Sequence, residues 1–184
     1  MPPEYVYQQN DGWRMLNLGN PTALNWAKSN FSAIITNWGV DIYRHDFNMH
    51  PLWYWRTGEA ADRKGMNEIR YVMGLYEYFD TLQQSHPDLL MDNSASGGRR
   101  LDFEMYRRLV PLLRTDYLWE VVGAQAMTHA LSHWLPMIGQ GGVSTANNDF
   151  RSGMGSWGAY AFDYYTPGRR SGVRSRLNWR TSPR

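Results

Sequence analysis

The chain has 184 residues, 42% of them hydrophobic and 15% aromatic, which suits a single domain with a substantial core. It contains no cysteine, which excludes disulfides and thiol chemistry, and its formal net charge is only +2. No apolar run is long enough to span a bilayer, and the N-terminus lacks the basic and apolar regions of a signal peptide. We therefore expect no membrane association and favour a cytoplasmic location.

The first helix is predicted by a capping signal and by the spacing of its apolar residues. Asn20 is a typical N-cap residue, and Pro21 suits the first helical position. The helix is expected to run to about Trp38 and to end at Gly39. Its buried side is predicted to contain Leu24, Ala27, Phe31, Ile34 and Ile35. A buried strand over residues 40–47 follows.

A second helix and two more strands follow a long loop over residues 49–65. The helix is predicted over Met66–Ser85, with a buried side formed by Ile69, Val72, Met73, Tyr76, Phe79 and Leu82. A Pro-Asp turn then leads to a second strand, which ends in the polar run 92–100. A short helix over residues 101–109 precedes a third strand over residues 110–117.

Beyond the third strand the pattern predicts four further elements: a helix over 121–132, a strand over 134–138, a short helix over 149–158 and a strand over 159–165. The last segment, residues 167–184, contains six arginines and no acidic residue. A basic tail can bind nucleic acid or anionic lipid. We expect instead a solvated, disordered tail and no nucleic-acid partner.

Strands that alternate with helices predict a parallel sheet. Polar residues recur where successive strands end: Asp46, then residues 92–96, then Asp116. A (β/α)8 TIM barrel builds its active site in this way, whereas an open doubly wound sheet usually carries a Gly-rich phosphate turn after its first strand. A full barrel takes roughly 250 residues. We therefore predict an incomplete barrel over residues 1–166, formed by the later strands only.

Three polar residues alternate at the end of the first predicted strand. Because side chains alternate across a strand, Arg44, Asp46 and Asn48 are expected to point to the same side. A carboxylate beside a cation stays ionised at neutral pH. Asp46 is therefore a candidate nucleophile or general base. The alternative is a structural ion pair at the end of a strand.

Asp46 and Asp116 are the candidate catalytic pair, because both end strands and can face each other across a barrel mouth. Carboxylates roughly 5–5.5 Å apart suit retaining glycoside hydrolysis, and roughly 6.5–9.5 Å suits inversion. Between them in the sequence, Gly97 and Gly98 allow a close approach of the backbone to a ligand. Ser94, Ser96 and the backbone amides there are candidates to bind sugar hydroxyls. The alternative is an ordinary turn that leads into the next helix.

The remaining polar and aromatic residues give weaker signals. The aromatic residues 53–55 form either a sugar-binding platform or part of the core. Arg100 and Asp102 are interpreted as structural. His129 and His133 are four residues apart, but no glutamate of a zinc-protease motif lies between them, so we expect no metal site.

Three segments resemble the bacterial α-galactosidases of glycoside hydrolase family 36. Residues 40–48, VDIYRHDFN, resemble the family strand Val-Asp-Tyr-Xaa-Lys-Trp-Asp-Met-Asn. Residues 92–102, DNSASGGRRLD, resemble Glu-Ser-Cys-Xaa-Gly-Gly-Gly-Gly-Arg-Phe-Asp. Residues 111–116 resemble Pro-Gln-Xaa-Trp-Xaa-Ser-Asp, and the order of the three segments is that of the family.

The resemblance implies a cofactor-independent, retaining α-galactosidase that acts on an α-galactoside-type carbohydrate. The family nucleophile falls on Asp46, and the acid/base falls on Asp116 rather than on Asp102. The sugar contacts of the family fall on Arg44, Asn48, Ser94 and Ser96.

The chain departs from the family pattern within these segments. The family usually has Lys where this chain has Arg44, Trp at His45 and Cys at Ser94. The departures leave the catalytic pair intact but leave other α-linked sugars, such as an N-acetylgalactosaminide, open as substrates. The alternative function is a non-catalytic or degenerate carbohydrate-binding barrel.

Overall fold

The computed structural model of the protein describes residues 1–8, 12–111, 115–116, 126–127, 129–131 and 133–134. Outside these residues lie the predicted helix over 149–158, the predicted strand over 159–165 and the tail over 167–184. The described residues between 126 and 131 are helical, as predicted for 121–132. Trp134 lies in a turn and does not begin a strand. No helix among the described residues is both long and apolar enough to cross a membrane.

An N-terminal hairpin was not predicted from the sequence. A 3-10 turn, Pro3–Tyr5, leads into strand β1, Val6–Gln8, which pairs antiparallel with β2, Arg14–Leu16. These strands are too short to show an alternating pattern, so only the pairing itself reveals them. Met15 of β2 is buried and contributes to the core.

Helix α1, Pro21–Trp38, has the predicted bounds. The side chain of Asn20 accepts a hydrogen bond from the Thr22 amide at 2.9 Å, which caps the first turn. At the other end, Gly39 adopts the left-handed conformation with φ of 62° and donates to the last carbonyls. Most of the predicted apolar side is buried or packs on the core, but Ile34 is exposed.

The predicted first strand is shorter than expected, and the long loop after it contains a helix. Strand β3 is Ile42–His45, and helix α2, Leu52–Arg56, lies within the predicted loop. Tyr54 of α2 is buried and Trp55 packs against the core, whereas Trp53 is largely exposed. Tyr54 and Trp55 therefore act as packing groups and not as a sugar platform.

Helix α3, Met66–Ser85, also has the predicted bounds, but the prediction of its buried side was partly wrong. Phe79 and Leu82 are buried as expected, whereas Ile69 and Met73 are 58% and 61% exposed. The core is instead filled by Tyr71, Leu75 and Tyr78. Both stripes recur at helical spacing, so periodicity alone cannot choose between them. Packing against α1 and the sheet makes the choice.

Gly74 lies where α3 passes closest to the backbone after β2. A Cβ atom there would collide with the carbonyl of Leu18. We expect Gly74→Ala to lower the free energy of unfolding by about 1–3 kcal/mol, because the helix must move away from Leu18. Urea denaturation measures this loss. Met73→Ala, at an exposed neighbouring position of α3, is the control and should change the free energy of unfolding by less than about 0.5 kcal/mol.

The sheet is parallel, as predicted. β3 pairs with β4, Leu90–Asn93, in a register that sets Arg44 opposite Asp92. Val110 then bridges to Asp92, also in parallel, so the third strand position follows in chain order. Crossovers between neighbouring parallel strands are typical of a (β/α) barrel. The described residues do not close a barrel.

Helix α4, Phe103–Tyr106, connects β4 to the third strand position and is shorter than predicted. Its N-cap is Asp102, whose carboxylate accepts the Met105 amide at 3.0 Å. This capping role explains Asp102 structurally, as the sequence analysis proposed.

Candidate active site

The candidate site lies at the carboxyl ends of β3 and β4. Asp46 and Asn48 follow β3, and Ser94 and Ser96 follow β4. Because the two strands are parallel, both sets of residues emerge at the same edge of the sheet. The structure therefore brings together the predicted residues of two segments that are about fifty positions apart.

Asp46 is held by backbone and side-chain donors. Its Oδ1 accepts the Phe47 amide at 2.8 Å and the Ser96 amide at 3.4 Å. Its Oδ2 lies 3.7 Å from Nη2 of Arg44. The side chain is 35% exposed, so a ligand can reach it.

The electrostatic surroundings keep Asp46 ionised. Partial burial raises the pKa of this carboxyl group, but hydrogen bonds from the Asn48 amide, the Phe47 amide and the Ser94 hydroxyl lower it. The charge of Arg44 acts in the same direction, and the net pKa lies below the ordinary aspartate value. An anionic oxygen is what a nucleophile or a general base requires.

Arg44 is anchored by a residue that the sequence analysis did not single out. Its Nη1 donates to Oδ2 of Asp92 at 2.6 Å, and its Nη2 donates to the Ser94 hydroxyl at 3.0 Å. Asp92 is only 1% exposed. It was passed over as one member of a polar run. The strand register places Asp92 opposite Arg44 and would have identified it, but the register is known only from the paired strands.

Asn48 is oriented by Ser96. The Oδ1 of Asn48 accepts both the Ser96 amide, at 3.1 Å, and the Ser96 hydroxyl, at 2.9 Å. With its oxygen occupied in this way, the amide turns its nitrogen toward Asp46. Ser96 has a φ of 45°, the only positive φ of a non-glycine residue in the described part of the chain. Strained conformations of this kind cluster at functional sites.

Asp116 lies on the other side of the same turn. Gly97 has a φ of 78°, and a Cβ atom there would come within 2.7 Å of the Asp116 nitrogen and 2.9 Å of the Thr115 Cα. The backbone of Asp116 is therefore in close contact with Gly97, one residue from the amide that binds Asp46. Asp116 is exposed, and it lies at the same end of the sheet as Asp46.

The opposite face of β3 carries a half-buried network behind the site. The Tyr43 hydroxyl lies 2.9 Å from Nδ1 of His45 and 2.9 Å from the Tyr78 hydroxyl. Burial, and then the charge of Arg100, lower the pKa of His45 to about 3, against the opposing effect of Asp46. His45 is therefore neutral at physiological pH, and its hydrogen bond to Tyr43 supports the strand from behind the site.

Arg100 joins the ends of the two strands. Its guanidinium donates to the carbonyl of His45 at 3.1 Å and to the carbonyl of Ser94 at 2.5 Å. The group also lies over the Phe47 ring, 5.5 Å from its centroid. The role of Arg100 is structural, as predicted, because its donors bind backbone carbonyls.

The described residues hold no cluster of three or more metal-ligating side chains. His129 and His133 approach each other, with 3.3 Å between their Nε2 atoms, and both side chains are exposed.

Parallel strands joined by crossovers, with polar residues at their carboxyl ends, are typical of (β/α) barrels. Solved structures with the same arrangement include an α-galactosidase from Lactobacillus brevis, with a TM-score of 0.65 and 20% identity over 80% of this chain and 21% of that one. A family 36 α-galactosidase from Geobacillus stearothermophilus, solved in complex with raffinose, gives 0.65 and 18% over 82% of this chain and 22% of that one.

The sequence comparisons specify the family. The Melibiase family model matches residues 4–148, more than half of the chain, and the chain therefore belongs to the melibiase family. Alpha-galactosidase 2 of Pediococcus pentosaceus is 26% identical over 115 residues, which are 54% of this chain and 16% of that protein. Probable alpha-galactosidase C of Aspergillus flavus is 31% identical over 90 residues, which are 48% and 11%. The chain thus spans less than a fifth of the length of these relatives.

Proposed function

We propose that the protein is a retaining α-glycosidase that hydrolyses terminal α-linked galactosides, with residues 1–166 forming part of its catalytic barrel. The observation that carries the proposal is the ionised, partly exposed carboxylate of Asp46, surrounded by five hydrogen-bonding or charged groups at the carboxyl edge of a parallel sheet. Membership of the melibiase family supports the choice of an α-galactoside as substrate.

The mechanism has two displacements. In the first, an Asp46 oxygen attacks the anomeric carbon while the bond from that carbon to the leaving oxygen breaks, and the Asp116 carboxyl group gives its proton to that oxygen. In the second, Asp116 takes a proton from water, and the water oxygen displaces Asp46 from the sugar. Two inversions at one carbon give net retention of configuration.

The remaining site residues bind and orient the sugar. Arg44, Asn48, Ser94 and Ser96 carry the donors and acceptors around Asp46, and their polar groups suit sugar hydroxyls. Some of these groups already bond to one another. A sugar hydroxyl would share these polar groups or replace one of their present partners.

The test is hydrolysis of 4-nitrophenyl α-galactoside by the full-length gene product, followed by proton NMR of the first product formed. We expect α-galactose to appear before mutarotation produces the β-anomer. Initial formation of β-galactose would show an inverting enzyme. Saturable galactose binding without turnover would favour the non-catalytic carbohydrate-binding alternative.

Removal of the Asn48 amide is expected to shift the pH dependence of activity. The acid limb of kcat/KM reports the free enzyme, and in the wild type it should lie below the ordinary aspartate pKa of about 3.9, because Asp46 is held ionised. In Asn48→Ala a donor to Asp46 is lost, so the pKa of Asp46 rises and the acid limb moves to higher pH. Initial rates after brief exposure to each pH measure the shift.

Ser32→Ala is the matched control for the pH experiment. The Ser32 hydroxyl lies 2.8 Å from Nε2 of His86, which precedes β4 and so lies toward the opposite end of the sheet. The acid limb of Ser32→Ala should coincide with that of the wild type. An acid limb that stays in place in Asn48→Ala would contradict the proposed role of the amide.

A further inference from the structure

Asp92 has no part in the mechanism above, although it is the most deeply buried carboxylate at the site. It lies on β4 directly opposite Arg44 of β3, with 1% of its surface exposed. Burial of a charged carboxylate is costly unless a charged partner compensates it. Nη1 of Arg44 provides that partner at 2.6 Å.

The other half of the Arg44 guanidinium faces the site. Nη2 donates to the Ser94 hydroxyl at 3.0 Å and lies 3.7 Å from Oδ2 of Asp46. The Ser94 hydroxyl in turn donates to Asp46. A guanidinium is planar and rigid, so a carboxylate that holds one nitrogen also fixes the direction of the other.

We propose that Asp92 is a positioning residue that acts through Arg44 on Asp46 and on the bound sugar. This role rests on the proposed function, since it assumes that Asp46 reacts. Arg44 has a long and flexible side chain that is 37% exposed, and without Asp92 it would sample many rotamers. The anchored guanidinium instead presents one fixed set of donors to Ser94, Asp46 and a sugar hydroxyl.

The combined length of the Arg44 and Asp92 side chains matches the gap between their backbones. A long arginine on β3 reaches a short aspartate on β4, and the strand register sets the distance that the two side chains must span together. Lysine at position 44 is shorter, and glutamate at position 92 is one methylene longer. The combination of lysine and glutamate should therefore span the same gap, whereas either change alone should not.

The experiment is a double-mutant cycle in the full-length gene product, with Arg44→Lys, Asp92→Glu and the combined variant. Each single variant should lose roughly ten- to a hundredfold in kcat/KM for 4-nitrophenyl α-galactoside, because a small displacement of a positioning group is costly. The double variant should regain most of the loss in kcat/KM and in Tm. Its residual defect should be in KM, since an ammonium cannot reproduce the two-pronged contact.

A second readout is independent of turnover. The pKa of Asp46, measured by carbon-13 NMR of labelled aspartate, should rise in both single variants as the cation at position 44 moves away, and should fall back in the double variant. Losses that simply add in the double variant, with an Asp46 pKa that never moves, would overturn the proposal. Absence of turnover in every form, with the NMR and Tm cycle intact, would refute the proposed function, while the coupling of Asp92 to Arg44 and Asp46 would stand.

The exposed pair Arg63 and Asp62, in the loop between α2 and α3, gives the matched control. Nε of Arg63 lies 3.9 Å from Oδ2 of Asp62, and the two side chains are 70% and 82% exposed. Arg63→Lys is combined with Asp62→Glu to form the same type of cycle. This cycle should show little coupling and no change in kcat/KM, because exposed ion pairs contribute little.

Discussion

Asp46→Ala is expected to lower kcat for 4-nitrophenyl α-galactoside by a factor on the order of 10⁴–10⁶, the range measured when a covalent nucleophile is removed. The loss is this large because water cannot form the covalent glycosyl intermediate in place of the Asp46 carboxylate. Initial-rate kinetics of the full-length gene product measures the loss.

Added azide gives the positive counterpart of this result. In Asp46→Ala the cavity left by the carboxylate admits azide, which attacks the anomeric carbon from the same face and forms a carbon–nitrogen bond as nitrophenolate leaves. The product should be β-galactosyl azide, inverted relative to the substrate. Asp41→Ala is the matched control, since Asp41 is an exposed carboxylate just before the amino end of the same strand. Normal turnover by Asp46→Ala without azide would remove the basis of the assignment.

Gly97→Ala is expected to reduce activity about a hundredfold, because the added methyl group must push against the backbone of Asp116. Only 2.7 Å would separate the new Cβ from the Asp116 nitrogen, and both contacting groups are backbone atoms that cannot rotate away. The left-handed φ of 78° adds a conformational cost of about 1–2 kcal/mol for any residue with a Cβ atom. Kinetics and urea denaturation separate the two effects.

Substrates with different leaving groups test whether the methyl group added at position 97 acts by moving Asp116. Methyl α-galactoside needs a proton on its leaving oxygen, whereas 2,4-dinitrophenyl α-galactoside does not. Gly97→Ala should therefore slow the methyl substrate far more than the dinitrophenyl substrate. Equal losses of activity on the two substrates would indicate that Gly97→Ala acts through Asp46 and not through Asp116.

Gly58→Ala controls for backbone strain alone. Gly58 has a φ of 77°, almost the same as Gly97, but no atom lies within 4 Å of its hypothetical Cβ. It should lose stability by a similar conformational cost and keep its kcat. A parallel loss of kcat in this variant would show that the Gly97 effect is general destabilisation.

The two long helices show how far local sequence information reaches. Both ends of α1 depend on residues within one turn of the boundary, Asn20 and Gly39, so the capping chemistry was sufficient to predict them. The bounds of α3 were also predicted correctly. Its buried side was predicted only in part, because Ile69 and Met73 have the same spacing as the residues that the core selects.

The candidate site was likewise predicted where its signals are local and missed where they are not. The sequence has Arg44, Asp46 and Asn48 at alternate positions, and the alternation of side chains along a strand was enough to place them together. The contacts of this group with the second segment depend on long-range pairing. Asp92 was missed because its importance arises only from the register with β3, and the Ser96 amide was missed as a donor to Asp46 because a turn conformation directs it.

The sequence by itself determined the elements whose signals lie within a few residues: the capped helices, the alternation of helix and strand, and the cluster of polar groups where the first strand ends. Tertiary structure decided which helix face is buried, the pairing of the short N-terminal strands, and the partner that anchors Arg44. The physical reason is range. Capping and side-chain alternation act within one turn or one strand, whereas register and packing depend on segments that meet only after the chain has folded.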